Sequence, residues 1–394
     1  MTNRKILNAI IMVTGTSVGS GILGLPIMTS SAGLISTVIA FIVAWVFMTL
    51  SAYYILDIKM QLKGPFNLSS LIKLTLGRSG QLISSIMIIL LLYALLCTYM
   101  IAGGGWLSVL AQGLVSIPEH YAGIIFTVLF GLILLLGQRL TYNLNNILGI
   151  ALLFAFIATI ASSLSPSSYD FVKQGDFQAI LPSMPLILTT FGFSIVVPAL
   201  TEYLDYHERS VKIAIIIGSL MALLAYVIWE WVTLGHIPLE GPYGFLRMKQ
   251  LGDDGTSVMI ALAASTDSSW VTFSGQLFAV FAVITSFLGV SLALLHFLAD
   301  TLTLQSTGSN RLMLFVLTYL PPILITCFYP KAFVQILSFA GLFVAVLLGL
   351  FPALMVFKNK KLSLRCLNKQ TLIILSVVLF FIAVIIQEVI NLAY

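Results

Sequence analysis

The sequence predicts an all-α integral membrane protein of about eleven transmembrane helices, arranged as an inverted 5+5 repeat with one accessory helix. Three observations lead to this prediction. Of its 394 residues, 59% are hydrophobic and only 8% are charged, whereas soluble domains carry roughly 25% charged residues. Eleven apolar segments are long enough to cross a bilayer. Two of these segments, five apart in the chain, contain helix-breaking residues well inside them.

A transmembrane helix needs about 20 predominantly apolar residues. Eleven segments qualify, at 8–30, 33–56, 81–107, 121–137, 146–164, 180–203, 211–235, 272–299, 312–329, 332–356 and 371–391. The connections between them are mostly short, so we expect a single transmembrane domain. The connection at 236–271 is the exception. Connections of that length are commonly either lids over a site or mobile loops.

The basic residues predict the orientation of the helices. If the N-terminus is cytoplasmic, the inside connections carry fifteen of the 19 Lys and Arg residues. Cytoplasmic connections are enriched in Lys and Arg, so we expect a cytoplasmic N-terminus and a C-terminus on the opposite side. The net charge of +5 follows from this bias and does not indicate a nucleic-acid partner.

Helix-breaking residues interrupt the first and the sixth segments. Four glycines and a proline fall between Gly15 and Pro26, and Gly192 is followed by Pro198. Because the two segments are an odd number of spans apart, they enter the membrane from opposite faces. This is expected of a transporter built from inverted halves. The predicted parts are repeat one at 8–164, repeat two at 180–356 and an accessory helix at 371–391.

The interrupted backbone predicts a binding site for a zwitterion. Each glycine lowers helix stability by about 1 kcal/mol relative to alanine, and proline by about 3 kcal/mol. Unpaired N–H groups at the start of a half-helix can hold a carboxylate, and freed carbonyls can accept from an ammonium group or a cation. An amino acid carries both charges and would satisfy both sets of groups.

The glycines are compatible with two other interpretations. Gly15 and Gly19 form a small-xxx-small pattern, which permits close helix packing. Gly19, Gly21 and Gly24 match the spacing of a dinucleotide-binding motif, but that motif requires a βαβ unit and here lies inside a membrane span. We therefore reject the nucleotide interpretation and keep the packing interpretation as an alternative.

Polar residues in the eighth segment are candidates for ion coupling. Thr285 and Ser286 could ligate Na⁺ together with backbone carbonyls near Val18, or their hydroxyls could bond back to carbonyls of their own helix. His296 lies one turn before Asp300. A histidine can carry a proton near neutral pH, although a structural histidine is the simpler interpretation.

Other charged residues have simpler expected roles. Asp57 and Glu202 lie at helix ends, where we expect them to be solvated or salt-bridged. Trp229 and Trp231, on either side of Glu230, indicate an interfacial aromatic belt. The three cysteines have no spacing typical of a metal site or a disulfide framework. No nucleophile accompanies a catalytic pair, so we expect neither an enzyme nor a cofactor, a metal or an obligate protein partner.

The chain resembles the bacterial aromatic amino acid permeases, the tryptophan/tyrosine-specific transporters of the amino acid/polyamine/cation superfamily. The resemblance rests on these stretches: Gly15–Pro26, Tyr99–Gly105, Phe191-Gly192-Phe193 with Val197-Pro198, Trp229-Glu230 through Leu234-Gly235, and Thr285–Val290 through Ala299-Asp300. The chain departs from the family pattern at Ser194 and at His296, where the family usually has His and Asp.

The resemblance implies a leucine-transporter-like core that takes up Trp, Tyr or Phe with protons across the bacterial cytoplasmic membrane. The expected substrate-binding residues are Gly15, Thr16, Ser17, Gly19, Ser20, Gly21, Tyr93, Phe191, Gly192, Phe193 and Ser194. The expected ion-coupling residues are Val18, Thr285, Ser286, His296 and Asp300. Two alternatives remain: a Na⁺-coupled carrier for neutral amino acids, and a membrane sensor that binds amino acids without transporting them.

Overall fold

The computed structural model describes residues 3–19, 21–112, 115–163, 175–252, 255–266, 268–304, 308–359 and 369–393. Regular structure in these ranges is helical throughout. The α-helices are α1 Asn3–Ser17, α2 Gly21–Thr29, α3 Gly33–Gln61, α4 Leu68–Leu76, α5 Arg78–Leu110, α6 Glu119–Leu136, α7 Gln138–Ser162, α8 Met184–Thr190, α9 Val197–Tyr203, α10 Glu208–His236, α11 Phe245–Leu251, α12 Thr256–Thr266, α13 Ser269–Leu302, α14 Gly308–Phe328, α15 Phe333–Val344, α16 Phe351–Asn359 and α17 Lys369–Ala393.

Each predicted span falls on helical structure. The first span corresponds to α1 and α2, and the sixth to the 3₁₀ segment Phe177–Ser183 followed by α8 and α9. The tenth joins α15 to α16 through a π-helical segment, Ala345–Leu350. Within the described residues, nine helical runs are long and apolar enough to cross a membrane. The count of eleven and the division into two repeats therefore stay predictions.

The backbone is interrupted in the first span, as its glycines predict. The amide of Val18 still donates to Thr14 O, 2.9 Å away, but α1 ends at Ser17. The next helix begins at Gly21, and the amide of Ile22 reaches back to Gly19 O at 3.2 Å. The first span is thus two half-helices separated by a short non-helical link.

The sixth span is interrupted in the same manner. Its first half, α8, ends at Thr190, and a 3₁₀ turn over Gly192–Val196 leads into α9. Pro198 occupies the first turn of α9, where its missing N–H costs no hydrogen bond. The sequence predicted both interruptions.

The spans form two packed groups. In the first group, α10 packs on α1, α2 and α9, α2 packs on α8, and α3 packs on α2, α8, α9 and α10. In the second group, α5, α6, α13 and α14 pack together. Helix α7 lies along α13, and α15 contacts both α5 and α8. Gly19 in the first group faces Ser286 of α13, because a Cβ added to Gly19 would lie 2.9 Å from Ser286 Oγ. The break in the first span therefore lies where the two groups meet.

The long connection at 236–271 is folded where it is described. It contains α11 and α12, which both pack on α2. Gly255 lies directly against α2, since a Cβ added to Gly255 would come within 2.8 Å of Leu23 Cβ. Of the charged residues in this connection, Asp253, Asp254 and Asp267 lie outside the described residues. The connection covers one side of α2, while a role as a lid stays a prediction.

The structure confirms the environment expected for Glu202 and contradicts the one expected for Trp229. Glu202 is salt-bridged as expected: its Oε1 lies 2.5 Å from Lys59 Nζ. The interfacial interpretation is wrong for Trp229. Its side chain is fully buried between Phe156 and Phe278, at ring-centroid distances of 6.3 and 5.3 Å. Helix-helix packing, which hydropathy alone does not show, encloses this ring.

Candidate functional site

The interruptions of the first and sixth spans lie against each other. A Cβ added to Gly21, the first residue of α2, would lie 3.3 Å from Thr190 Cγ2, at the end of α8. This separation is tighter than ordinary van der Waals contact, so any larger residue at position 21 requires Thr190 or one of the two half-helices to move. The close approach is the physical reason for that glycine.

One side chain joins the two interruptions. The hydroxyl oxygen of Tyr226, on α10, lies 2.6 Å from Ser17 O and 2.8 Å from Thr190 O. These carbonyls belong to the last residues of α1 and α8, where no following turn of helix supplies an N–H donor for them. A hydroxyl has one proton, so Tyr226 can donate to only one of the two carbonyls at a time.

The ring of Tyr226 is held by aromatic contacts. It is fully buried and packs edge-on against Phe191 at 5.2 Å and Phe41 at 6.0 Å between ring centroids. Phe191 is also fully buried and contacts Phe41. These contacts place Phe191 inside the first group of helices, where it supports Tyr226.

The N-terminus of α2 presents backbone donors. No backbone acceptor among the described residues pairs with the amide of Gly19 or of Gly21. The positive end of the helix dipole lies at the same place. Together these features suit a carboxylate. Ser20, between the two glycines, lies outside the described residues.

Other predicted residues of the first span have local hydrogen bonds. The hydroxyl of Thr16 donates to Met12 O at 2.7 Å and that of Ser17 to Val13 O at 3.4 Å. Gly15 is exposed, and an added Cβ would meet no atom within 4 Å. In this part of the span, the backbone of Ser17 therefore contributes to the junction, while the threonine and serine hydroxyls stay with their own helix.

The residues after Phe191 lie near the tenth span. Gly192 has Leu348 Cδ1 at 3.9 Å from an added Cβ. Phe193 and Ser194 are fully buried, and within the described part of the chain the Ser194 hydroxyl has no hydrogen-bond partner. A buried hydroxyl without a partner is costly. Ser194 is also one of the two positions, with His296, at which the sequence departs from the pattern it otherwise resembles.

Tyr93 is directed elsewhere. Its hydroxyl donates to Leu317 O of α14 at 2.7 Å, and α14 packs on α5, α6 and α13. The structure thus places Tyr93 at the contact between α5 and α14, whereas Tyr99 on the same helix is buried.

The ion-coupling candidates do not form one cluster. Thr285 donates back to Phe281 O at 2.7 Å, which is the alternative stated for it above. Ser286 adjoins the break through Gly19. His296 and Asp300 follow Ser286 by ten and fourteen residues, or about 15 and 21 Å along a helix that rises 1.5 Å per residue. Of the candidate side chains on α13, Ser286 is therefore nearest the break in the first span. Val18, the remaining candidate, lies in the break itself.

Sequence reasoning missed Tyr226, and it assigned Glu230 to the membrane interface. Both lie on one face of α10 four residues apart, and both are fully buried. The only signal for them is two polar side chains at helical spacing within one apolar segment. This signal does not show which neighbouring helix they face.

Tyr226→Phe is expected to slow substrate uptake by roughly tenfold or more. The change removes the hydroxyl and leaves the carbonyls of Ser17 and Thr190 without it, and a buried unsatisfied group costs about 1–3 kcal/mol. The measurement is the initial rate of labelled amino acid uptake in proteoliposomes. Tyr54→Phe is the matched control, because the Tyr54 hydroxyl is buried without a partner in the described structure. Equal rates for the two variants would contradict the bridging role.

The whole chain matches one family of membrane proteins. The sequence model of the tryptophan/tyrosine permease family covers residues 2–389. The chain belongs to the tryptophan/tyrosine permease family. It is 29% identical to "Tyrosine-specific transport system 1" of Haemophilus influenzae over 91% of this chain and 89% of the relative. It is 27% identical to "Tryptophan-specific transport protein" of Shigella flexneri over 91% of this chain and 88% of the relative.

The fold of this permease is also that of a solved transporter. The crystal structure of MhsT in complex with L-phenylalanine superposes with a TM-score of 0.60 at 14% identity, covering 97% of this chain and 98% of MhsT. The leucine-transporter-like fold expected from the resemblance is therefore confirmed. The permease is a multi-pass membrane protein, and its relatives are named as transport proteins, so the expectation of amino acid transport instead of enzymatic activity is confirmed.

Proposed function

We propose that this permease imports the aromatic amino acids Trp, Tyr and Phe by proton symport with alternating access. The observation that carries the proposal is the junction of the two interruptions, where Tyr226 lies within 2.8 Å of carbonyls of both half-helices. The backbone amides of Gly19 and Gly21 lie at the start of α2. An amino acid at this junction can meet amide donors through its carboxylate and carbonyl acceptors through its ammonium group.

The expected substrate site is built around this junction. Amides between Thr16 and Gly21 bind the carboxylate, and carbonyls between Phe191 and Ser194 bind the ammonium group. The aromatic substrate class is supported by the names of the relatives, which specify tyrosine or tryptophan. L-phenylalanine in the MhsT complex supports an aromatic side chain in the same fold.

Import requires the protein to expose this site alternately to the two sides of the membrane. The two packed groups of helices provide a physical basis, because the break at Gly19 lies where they meet. Motion of one group against the other would open the junction to one side at a time. We assign the N-terminus to the cytoplasm and the C-terminus to the opposite side of the bacterial inner membrane, as the basic residues predict.

Uptake into proteoliposomes tests substrate and coupling together. Labelled Trp, Tyr, Phe and Leu are offered with a pH gradient or a Na⁺ gradient imposed separately. We expect accumulation of the aromatic amino acids with the pH gradient alone. Accumulation with Na⁺ alone would instead support the carrier in which Ser286 and carbonyls near Val18 bind the ion. Binding without accumulation under either gradient would support the sensor.

A further inference from the structure

We infer that Glu230 is the side chain that carries the coupled proton. The inference rests on the proposed proton symport and adds the group that takes up and releases the proton. Glu230 is fully buried in α10. Ionisable residues inside transmembrane segments are costly, and they often serve proton or substrate pathways.

Within the described structure, one carboxyl oxygen of Glu230 has a single hydrogen-bond partner and the other has none. Oε2 lies 3.0 Å from Thr29 Oγ1. Oε1 is buried without a hydrogen-bond partner among the described residues. An ionised carboxylate accepts hydrogen bonds at both oxygens, so this environment is a poor one for the anion and suits the neutral acid.

The threonine can serve either protonation state of Glu230. Thr29 Oγ1 also lies 2.9 Å from Leu25 O, and a hydroxyl has one proton. When Glu230 is protonated, its Oε2–H donates to Thr29, and Thr29 donates to Leu25 O. When Glu230 is ionised, Thr29 turns its proton to Oε2 and releases Leu25 O. The transfer of one proton to or from Glu230 therefore changes a hydrogen bond of α2.

This change reaches the substrate junction through two helices. Thr29 and Leu25 belong to α2, whose first residue is Gly21. On α10, Tyr226 lies one turn before Glu230, about 6 Å along the axis, and joins the carbonyls of Ser17 and Thr190. Protonation at Glu230 and substrate binding at the junction thus act on the same half-helix.

Charged groups on the packed elements lie far from Glu230. Helices α2 and α12 contain no ionisable residue. The ionisable side chains of α1, α3, α7 and α9 lie toward the opposite end of α10 from Glu230, as do Glu208, Arg209 and Lys212 on α10 itself. They are Arg4, Lys5, Tyr53, Tyr54, Asp57, Lys59, Arg139, Tyr142, Glu202 and Tyr203. Lys212 is eighteen residues before Glu230, or about 27 Å along the helix.

Two ionisable side chains lie nearer on α10. Tyr226 is engaged at the junction, and His236 Nδ1 lies 2.8 Å from Val232 O. No ion pair in the described structure involves Glu230. A proton is therefore the ion that can neutralise this carboxylate when the site is closed to water.

The test measures substrate-dependent proton influx with a pH-sensitive dye in proteoliposomes, alongside substrate exchange without a gradient. For Glu230→Gln, we expect loss of coupled proton influx and of accumulation driven by the pH gradient, with exchange retained. Glu388→Gln is the matched control. Glu388 is equally buried, but its Oε2 accepts from Ser338 at 2.8 Å and Asn391 at 3.1 Å. We expect this variant to behave as the unmodified protein.

The outcomes separate this inference from the proposed function. Absence of proton influx in the unmodified protein would refute proton symport itself. Unmodified coupling together with full coupling in Glu230→Gln would overturn the assignment of Glu230. If Glu230→Gln loses exchange as well, Thr29→Val decides. The pH profile of uptake should then shift to higher pH by about one unit, because the charge-assisted hydrogen bond that the carboxylate loses is stronger than the bond that the neutral acid loses. An unchanged profile would overturn the inference.

Discussion

Gly21→Leu is expected to abolish uptake of labelled aromatic amino acids, with a loss of about 100-fold or more. A Cβ at position 21 already lies 3.3 Å from Thr190 Cγ2, so a branched side chain must separate α2 from α8 and occupy space at the start of α2. Displacement of a binding group by about 1 Å can cost 100-fold in rate. The measurement is the initial uptake rate in proteoliposomes at equal protein content.

Gly149→Leu on α7 is the matched control for this change. A Cβ added to Gly149 meets no atom within 4 Å, so the same substitution should leave uptake within experimental error. Gly21→Ala should give an intermediate rate, because Thr190 can yield by a few tenths of an ångström. If Gly21→Leu reached the membrane and transported at the rate of the control, the substrate site would have to lie away from the break.

Lys59→Met is expected to lower the free energy of unfolding by about 1.5–3 kcal/mol, the contribution of hydrogen bonds to a charged group, because Glu202 is 38% exposed and can be hydrated once the ammonium group is removed. The Lys59 side chain is fully buried at the end of α3. Its ammonium group donates to Gly64 O at 2.6 Å, Phe66 O at 2.9 Å and Glu202 Oε1 at 2.5 Å. These bonds fasten α9, the second half of the sixth span, to α3 and the turn that follows it.

Thermal unfolding in detergent measures this effect, with Lys212→Met as the control. Lys212 pairs with Glu208 at 2.5 Å, but both side chains are about half exposed. Such pairs contribute about 0.3–0.5 kcal/mol on a helix surface. We therefore expect a drop of several degrees in the unfolding temperature for Lys59→Met and almost none for Lys212→Met. Similar unfolding temperatures for the two variants would show that Lys59 does not hold α9.

The backbone part of the candidate site could be predicted from the sequence. Glycine and proline act on the backbone locally, so the stretch from Gly15 to Pro26 and the stretch from Phe191 to Pro198 indicate interrupted helices without knowledge of their neighbours. The spans themselves follow from length and hydropathy. The nucleotide motif at Gly19, Gly21 and Gly24 could be rejected on the same grounds.

The side-chain part of the site could not be predicted in this way. Tyr93 and Tyr99 both lie in the middle of one apolar segment, so the sequence does not distinguish them. Only the packing of α5 shows that the Tyr93 hydroxyl donates a hydrogen bond to α14. The sequence position of Trp229 suggests an interfacial residue, but in the structure the rings of Phe156 and Phe278 enclose its side chain. The sequence allows the Thr285 hydroxyl either to ligate an ion or to donate to a carbonyl of its own helix. In the structure it donates to Phe281 O of the same helix.

The sequence by itself determined that this protein lies in a membrane and that its first and sixth spans are broken, and it predicts that the backbone there binds a zwitterion. These are properties of composition and of local backbone preference. Only the tertiary structure decided that the two breaks meet at Gly21 and Thr190, that Tyr226 joins them, and that Glu230 is buried beside Thr29. Each of these contacts depends on the rotation and crossing of helices distant in the chain, which local preferences do not specify.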